Sequence, residues 1–451
     1  MSARSPRVPS PALAAAALTL VGCAAAPERL EVDPARLLDE LDAVRLELQP
    51  ADTPPGPESA LAFDPADGLD ADEAVAFALA RHPALAARRA QLGVERALAV
   101  EAGLLPDPTF AWNAMDWVVG GTSDDVLTGF SLTLPLLRPG ERDAARALGE
   151  ARVAVELAAL RRAEWELEHR VRLGWLELAA AQERIALQAH LRDVVAETAG
   201  FLERQREARA ATGLEADLAR LELIEIELVA AELARERAAA RLELTRLLGL
   251  PPGATLELPA KALARGAASV PDAARSRDER LETCPDVALA LAAWRASEED
   301  VALAAARRMP HLYVGTAFGV VLPLFSRAGK PQLATALARR TQAAEQVRAS
   351  LFEARAQLAL AEKRHELARQ RLDTGSAALE PALATVAARL GEARAARAVR
   401  VVELLAAQRR LVDARRALLE ARVDLARSVV ELAAAAGPAP APDSPAPEPA
   451  P

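Results

Sequence analysis

"LPLLRPGERDAARA" (residues 134–147) and "LPLFSRAGKPQLATA" (residues 322–336) are two versions of one phrase. Each closes an apolar run with Leu-Pro-Leu, turns through a short basic segment containing Gly, and enters an alanine-rich pattern of helical spacing. Pro cannot donate to a sheet ladder, and Gly reaches backbone angles closed to other residues. The phrase therefore marks the end of a strand and the start of a long helix. Its recurrence predicts two structural repeats in one chain.

Reading outward from the first copy gives the order of elements. "DADEAVAFALARHPAL" (residues 70–85) places acids in a first turn and then apolar residues at helical spacing, and a further helix runs from about Pro83 to a stop at Gly103 and Pro106. Next, Phe110, Trp112 and Ala114 alternate with Thr109, Ala111 and Asn113, and Phe130, Leu132 and Leu134 alternate with Gly129, Ser131 and Thr133. This period of two with one apolar face predicts a β-hairpin, either half-buried or with lipid outside and water inside. Residues 141–249 contain no proline. A single helix over residues 141–212 would be ~105 Å long at ~1.5 Å per residue. Its Leu157, Leu160, Leu167, Val171, Trp175 and Leu178 recur at threes and fours between charges, as in a coiled coil. "ATGLEADLARLEL" interrupts the pattern at Gly213, and a return helix reaches "LLGLPPG", which predicts an antiparallel hairpin with Gly213 near its tip.

After a polar segment the order restarts: Pro285 matches Pro83, Pro310 matches Pro106 and Pro323 matches Pro135. A second long helix is expected to turn at Gly391 and return to Gly437. One mismatch stands out. "HLYVGTAFGVVL" has room for two strands of about five residues, whereas a strand crossing a membrane wall takes ~9–11. The organisation read from the sequence is a signal peptide over 1–22, an extended arm and linker over 23–70, repeat 1 over 71–250, a linker over 251–283, repeat 2 over 284–437 and a disordered Pro/Ala tail over 438–451.

Composition excludes several functions. Aromatic residues are 3% with a single Tyr, and the chain carries a net charge of −9. Long helices have this profile, not an enzyme core with a lined pocket. No basic stripe with interleaved aromatics is present, which excludes nucleic acid. His82, His169, His190, His311 and His365 are scattered, Met115 and Met309 form no cluster, and no phosphate loop or nucleophile motif occurs. No enzymatic activity, cofactor or bound metal is expected.

At the N-terminus, Arg4 and Arg7 precede "PALAAAALTLVG", too short to span a bilayer and suited to a signal-peptide core. It ends in "LVGC", which resembles the bacterial lipobox and makes Cys23 the lipidated first residue of the mature chain. The alternative is an ordinary cut near Ala24 to Ala26. Ala24 does not resemble the inner-membrane retention signal of such lipoproteins, which favours the outer membrane. Cys284 then has no partner, so no disulfide framework is expected.

Helix, hairpin, very long helix, tip and return helix, written twice behind a lipobox, resemble the TolC-like outer membrane factor family over roughly residues 70–437. "DEAVAFALARHPAL", "AGLLPDP", "FSLTLPLL", "TGLEADLARLEL", "LLGLP", "GVVLPLFSRAGKPQLATA" and "VVELLAAQRRLVDARRALLEA" carry the likeness. "GLLPDPTF" and "LPLFSRAGKPQLATALARRTQA" resemble the branch serving heavy-metal exporters of the resistance-nodulation-division type. The resemblance implies a mainly α fold with a small β-barrel part, assembled as a homotrimeric α/β-barrel tunnel. That tunnel would be the outer-membrane exit duct of an export system, meeting a periplasmic adaptor and an inner-membrane pump. It implies that Gly213, Leu214, Asp217 and Gly391 lie at adaptor-docking tips. It further implies that Glu403, in "VVELLAAQ", forms a carboxylate ring at the periplasmic mouth, with Ala406 departing from the family's second acidic position. Trp112 and Trp117 fall where barrel aromatic anchors sit. The rival reading, raised by the short second hairpin, is a lipid-anchored periplasmic coiled-coil protein that does not conduct.

Overall fold

The computed structural model describes residues 32–45, 68–112, 130–136, 138–209, 212–259, 262–265, 276–315, 319–321, 329–395 and 401–438. It divides into two compact units, Met1–Val44 and Arg45–Pro451. In the first, α1 (Pro34–Asp42) begins where the Asp33 carboxylate accepts from the Ala35 amide at 3.0 Å, and none of its residues is buried. This helix stands inside the stretch read as an extended arm. Its Asp-Pro start is a helix signal, outweighed in the sequence reading by the prolines that follow it.

The second unit opens with α2 (Ala71–Arg81), started by an Asp70–Glu73 capping box, and α3 (Pro83–Ala102). Strands β1 (Thr109–Trp112) and β2 (Phe130–Leu136) lead to α4 (Glu141–Glu207) and α5 (Gly213–Leu248). Two short helices, α6 (Ala262–Arg265) and α7 (Arg277–Glu282), precede α8 (Pro285–Ala306), β3 (His311–Gly315) and β4 (Gly319–Val321). Then come α9 (Lys330–Thr374), a π turn (Gly375–Leu379), α10 (Glu380–Ala395) and α11 (Val401–Ala436).

The duplicated phrase does the same structural work twice. Gly140 (φ 77°) and Gly329 (φ 67°) are the left-handed residues from which α4 and α9 start. A side chain at such an angle costs about 1–2 kcal/mol, hence the glycine in both copies. Above these starts, the four strands form one antiparallel sheet in the order β1-β2-β3-β4. Thr109 faces Thr133, Leu134 faces Val314, and His311 faces Val321. The β2–β3 pairing joins the two repeats into one sheet. The strands are 4, 7, 5 and 3 residues long among the described residues.

Below the sheet, α4 is the backbone of the molecule, about 100 Å long at 1.5 Å per residue. Nearer the sheet it packs between α3 and α8, and α8 packs on α9. Farther away it packs between α5 and α11, and α11 packs on α9 and α10. Each half is thus a row of four helices, α3–α4–α8–α9 and then α5–α4–α11–α9/α10. Only α4 and the α9–α10 pair run through both rows.

The other two positions in the rows are made by helices stacked end to end. At the end of α5, Gly249 (φ 70°) lies so close to the start of α3 that a Cβ there would be 3.1 Å from Pro83 Cδ. At the end of α11, Gly437 (φ 71°) would meet Thr283, just before α8, at 3.1 Å. Pro83 and Pro285 open the helices on the far side of the two joints, where a missing amide hydrogen is not needed. Around mid-height, the fully buried Trp175 of α4 donates from Nε1 to the Leu69 carbonyl at 2.8 Å, and the Leu69 amide donates to Glu257 at 2.7 Å. The segments flanking the joints are thereby strapped onto α4 as a collar.

Candidate functional site

The rows end in two free edges, α5 (with α3 above it) on one side and α9 on the other, and the edge helices are amphipathic on the wrong side for a monomer. On α5, Ala219, Ile226, Leu233 and Leu247 face inward and are buried. Leu214, Leu221, Leu228 and Leu242 also fall at heptad spacing, two residues out of phase and so about 200° round the helix. They are 69%, 54%, 67% and 51% exposed. A helix with apolar stripes on opposite faces is built to sit between two partners, and the chain supplies one. Across the molecule, α9 exposes Leu337, Leu351, Phe352, Leu360 and Leu367. The sheet has the same form, with β1 and β4 as its two edges.

Inside the rows, arginine pairs clamp helix to helix. Arg184 of α4 grips Glu420 of α11 with two hydrogen bonds, at 2.7 and 2.8 Å. The paired guanidinium outweighs burial and holds the Glu420 carboxyl below the ordinary carboxylate range. Arg427 reaches Glu177, Arg416 donates to Gln188 at 3.0 Å, and Gln188 passes the link on to the Ile226 carbonyl of α5 at 3.2 Å. Nearer the far end, Arg409 of α11 contacts Glu222 and Glu225 of α5 at 3.2 and 3.4 Å.

A second knot sits where sheet becomes helix. Glu141, at the first position of α4 and 9% exposed, is held by Arg138 and by Arg307 from the second repeat, each at 3.1 Å. Burial raises its pKa, but the hydrogen bonds and charges of the two arginines outweigh it, and the net direction is downward. Arg138 also donates to the Met309 carbonyl at 2.7 Å, and Arg142 to Gly103 at 2.9 Å. Sequence reasoning missed this clasp, although the signal is in the duplicated phrase. Where the first copy has Gly140-Glu141 the second has Gly329-Lys330, and the repeats lock together at the residue by which they differ.

The tips need two corrections. Gly213 lies near the tip but does not itself make the turn. It is the first residue of α5, capped by Thr212 with Glu215 in a capping box. The left-handed residue of that tip is Arg209, at φ 56°. A Thr-x-x-Glu pattern was the stronger local signal and predicts this start. Leu214 and Asp217 lie exposed in the first turns of α5. Gly391 lies within α10, which runs on to Ala395, and α11 begins at Val401. A lone Gly in an alanine-rich helix lowers propensity without breaking the helix. Glu403 is exposed in the first turn of α11. Trp112 is paired with Phe130 in the β1–β2 ladder. Cys23 and Trp117 lie outside the described residues. No group of three metal-ligating side chains occurs among the described residues.

No protein-family model matches the chain, and no curated protein sequence matches it. Solved structures do match. The outer-membrane channel OprN superposes with a TM-score of 0.67 over 81% of this chain and 89% of its own, at 18% identity. CusC, whose structures describe transmembrane channel formation, gives 0.67 over 84% and 95% at 17% identity. The fold is the outer-membrane channel fold. The Campylobacter jejuni CmeC outer membrane channel extends the match to 92% of this chain and 93% of its own, at TM-score 0.67 and 14% identity. The channel fold accounts for the mostly helical architecture with a four-stranded sheet that the two repeats predict.

Proposed function

We propose that the protein is the outer-membrane exit duct of an export system, a homotrimer whose copies close edge to edge. The observation that carries this reading is the pair of free edges in both layers. A row of helices and a sheet that each end in two unlike edges make head-to-tail contacts, and head-to-tail contacts close into a ring when the rotation permits. Closure would cover the leucines on α5 and leave no sheet edge open. The mainly helical ~100 Å body then spans the periplasm, and the strands line the membrane part. Cys23 carries the lipid anchor. The tips, with Leu214 and Asp217 exposed beside Gly213 and the turn beyond Gly391, meet a periplasmic adaptor and an inner-membrane pump. The phrases of the resistance-nodulation-division branch favour a pump of that type. Solutes pass without chemical change, so no cofactor or metal centre is required.

Glu403, exposed at the start of α11, is placed by this reading at the mouth, where three copies would focus potential on passing ions. The second reading, a lipid-anchored coiled-coil protein without a pore, draws on the short second hairpin that the sequence allows between Pro310 and Pro323. Single-channel recording of the lipidated protein in a planar bilayer, beside a Glu403→Ala variant, separates them. Conductance whose ion selectivity changes in the variant supports duct and mouth together. Conductance indifferent to the variant retains the duct and removes Glu403 from the mouth. An assembled ring that does not conduct overturns the duct.

A further inference from the structure

The long helix of the second hairpin contains an irregularity that its counterpart lacks. From Lys330 to Ala395 the backbone stays helical, with Thr374, Gly375 and Glu380 all near φ −60 to −65°, yet Gly375–Leu379 forms a π turn. A π turn holds one residue more than an α turn. The burial pattern agrees with it: the less exposed positions are single at His365, Ala368 and Leu372, double at Gly375/Ser376 and Leu379/Glu380, and become single again at Leu383 and Ala387. The segment "GSAAL" has small residues in four of its five places, and the corresponding long helix of the other repeat, α4, runs its whole length without such a turn.

The surroundings are those of a movable element. An open surface groove of about 450 Å³ lies against the turn, lined by Leu367, Thr374, Gly375, Leu379, Leu418 and Ala421 among others. Ser376 and Thr374 return their hydroxyls to the carbonyls of Asp373 and Gln370, at 3.2 and 2.8 Å. Two ion pairs to α11 bracket the turn. On the sheet side Arg371 meets Asp424, and on the tip side Glu380 meets Arg422, both at 2.6 Å. The first has further support from Arg364–Glu431 and from His365 to Ser428. On the tip side, Arg422–Glu380 is the ion pair holding α10 to α11 among the described residues.

We infer that the π turn is a pivot giving α10 two rotational settings on α11, and that Arg422–Glu380 is the catch that fixes the observed one. Resolving the extra residue turns everything beyond it by about 100° about the helix axis. That carries Glu380 away from Arg422 and presents a different face of α10 to the start of α11, where Glu403 lies. The pivot stands on the geometry alone, and its bearing on conduction rests on the duct reading.

The test uses the full-length protein, a deletion of Ser376, and Glu380→Gln. Amide hydrogen exchange is read over residues 368–395, and conductance is read in planar bilayers. In the unaltered protein the amides of the π turn should exchange about tenfold faster than those of the adjoining α9. Deleting Ser376 should slow them to the α9 rate and reduce the channel to a single conductance level. Glu380→Gln should quicken exchange in α10 and make switching between levels more frequent. Exchange at the π turn equal to that in α9, or unchanged by both variants, overturns the pivot. If the deletion does not fold, Glu380→Gln decides alone. A protein that does not conduct, but whose exchange responds as stated, refutes the duct and keeps the pivot. Conductance identical in all three, with exchange responding, overturns the link between pivot and mouth.

Discussion

Replacing Leu221 and Leu228 together by Glu should leave each subunit folded and prevent ring assembly. Full burial of a leucine side chain is worth about 1.5–3 kcal/mol. Leu221 and Leu228 remain 54% and 67% exposed in the single chain. Covering each at an edge contact therefore gains roughly 1–2 kcal/mol. A closed ring of three has three such edges, so the two positions contribute roughly 6–12 kcal/mol to the assembled state. Glutamate forfeits that gain and adds the cost of removing a carboxylate from water. Within the subunit both side chains already face solvent, where substitutions shift stability by only about 0.5 kcal/mol. Native mass spectrometry of the detergent-solubilised protein reads the assembly state, and far-UV circular dichroism reads the fold. Monomers of unchanged helicity are expected, with a melting temperature lowered by the loss of assembly. Intact rings in the double variant would refute the argument that the exposed stripe is an interface. Helicity lost along with assembly would show that the stripe supports the subunit instead.

Three other outcomes follow from sites within the subunit. Glu141→Gln should cost about 1–3 kcal/mol, because it strips the charge from a carboxylate shared by Arg138 and Arg307 while Arg307 stays largely solvated. With the Glu141 pKa lowered in the folded state, its stabilisation is present above the unfolded carboxylate pKa and lost as pH falls through the folded one, so denaturant midpoints of wild type and variant should converge in acid. His82, whose Nδ1 accepts from the Ala84 amide at 3.2 Å to cap α3, has its pKa lowered by burial and by Arg170 and Arg246. Below the unfolded value of 6.5 the unfolded chain binds more protons, so stability should decline as pH drops through 6.5, and His82→Asn, a cap without that titration, should flatten the melting-temperature profile between pH 8 and 5. Gly249→Ala should cost at least about 1–2 kcal/mol for the left-handed angle, plus the shift needed to clear Pro83, and thermal melts would show no loss if the joint were slack.

Much of this architecture could be read from residue order because its signals are local and repeated. Pro83 and Pro285 begin helices, Gly140 and Gly329 turn strand into helix, and the α4 heptads specify a long packed rod. The order of the helices within each row was not legible. Nothing in the periodicity of α4 says that α8 neighbours it near the sheet and α11 farther on, since both present similar alanine- and leucine-rich faces. The exact ends of the helices at the tips were misjudged for a different reason. Gly391 looked like a breaker, but intrinsic propensity is weak beside the helical drive of its neighbours. At the first tip the glycine drew notice away from Thr212 and Glu215, which mark the helix start. The π turn leaves almost no trace in composition, because one inserted residue in an alanine-rich helix changes phase and nothing else. Ion pairs such as Arg184–Glu420 join residues 236 positions apart, a distance over which a charge pattern in sequence carries no pairing rule.

The end-to-end joints at Gly249 and Gly437 have a consequence for how such a molecule changes in descent. At each joint one segment of chain leaves the rows and another enters them, so residues gained or lost outside the rows alter no helix that sets their length. Within residues 250–283 the strap at Glu257 and the buried Leu250, Leu256 and Arg280 are held by packing, whereas the turn at Pro252 and Gly253 is exposed. The body is different: α4 and the α9–α10 run act as the ruler, and lengthening one of them requires matching insertions in every neighbour of its row. The body should therefore change in coordinated steps that keep its helices in register, or absorb a single extra residue in a π turn as the α9–α10 run does, while the exposed turn of the collar at Pro252 and Gly253 is where a tag or a fused domain can enter with the least disturbance to the rest.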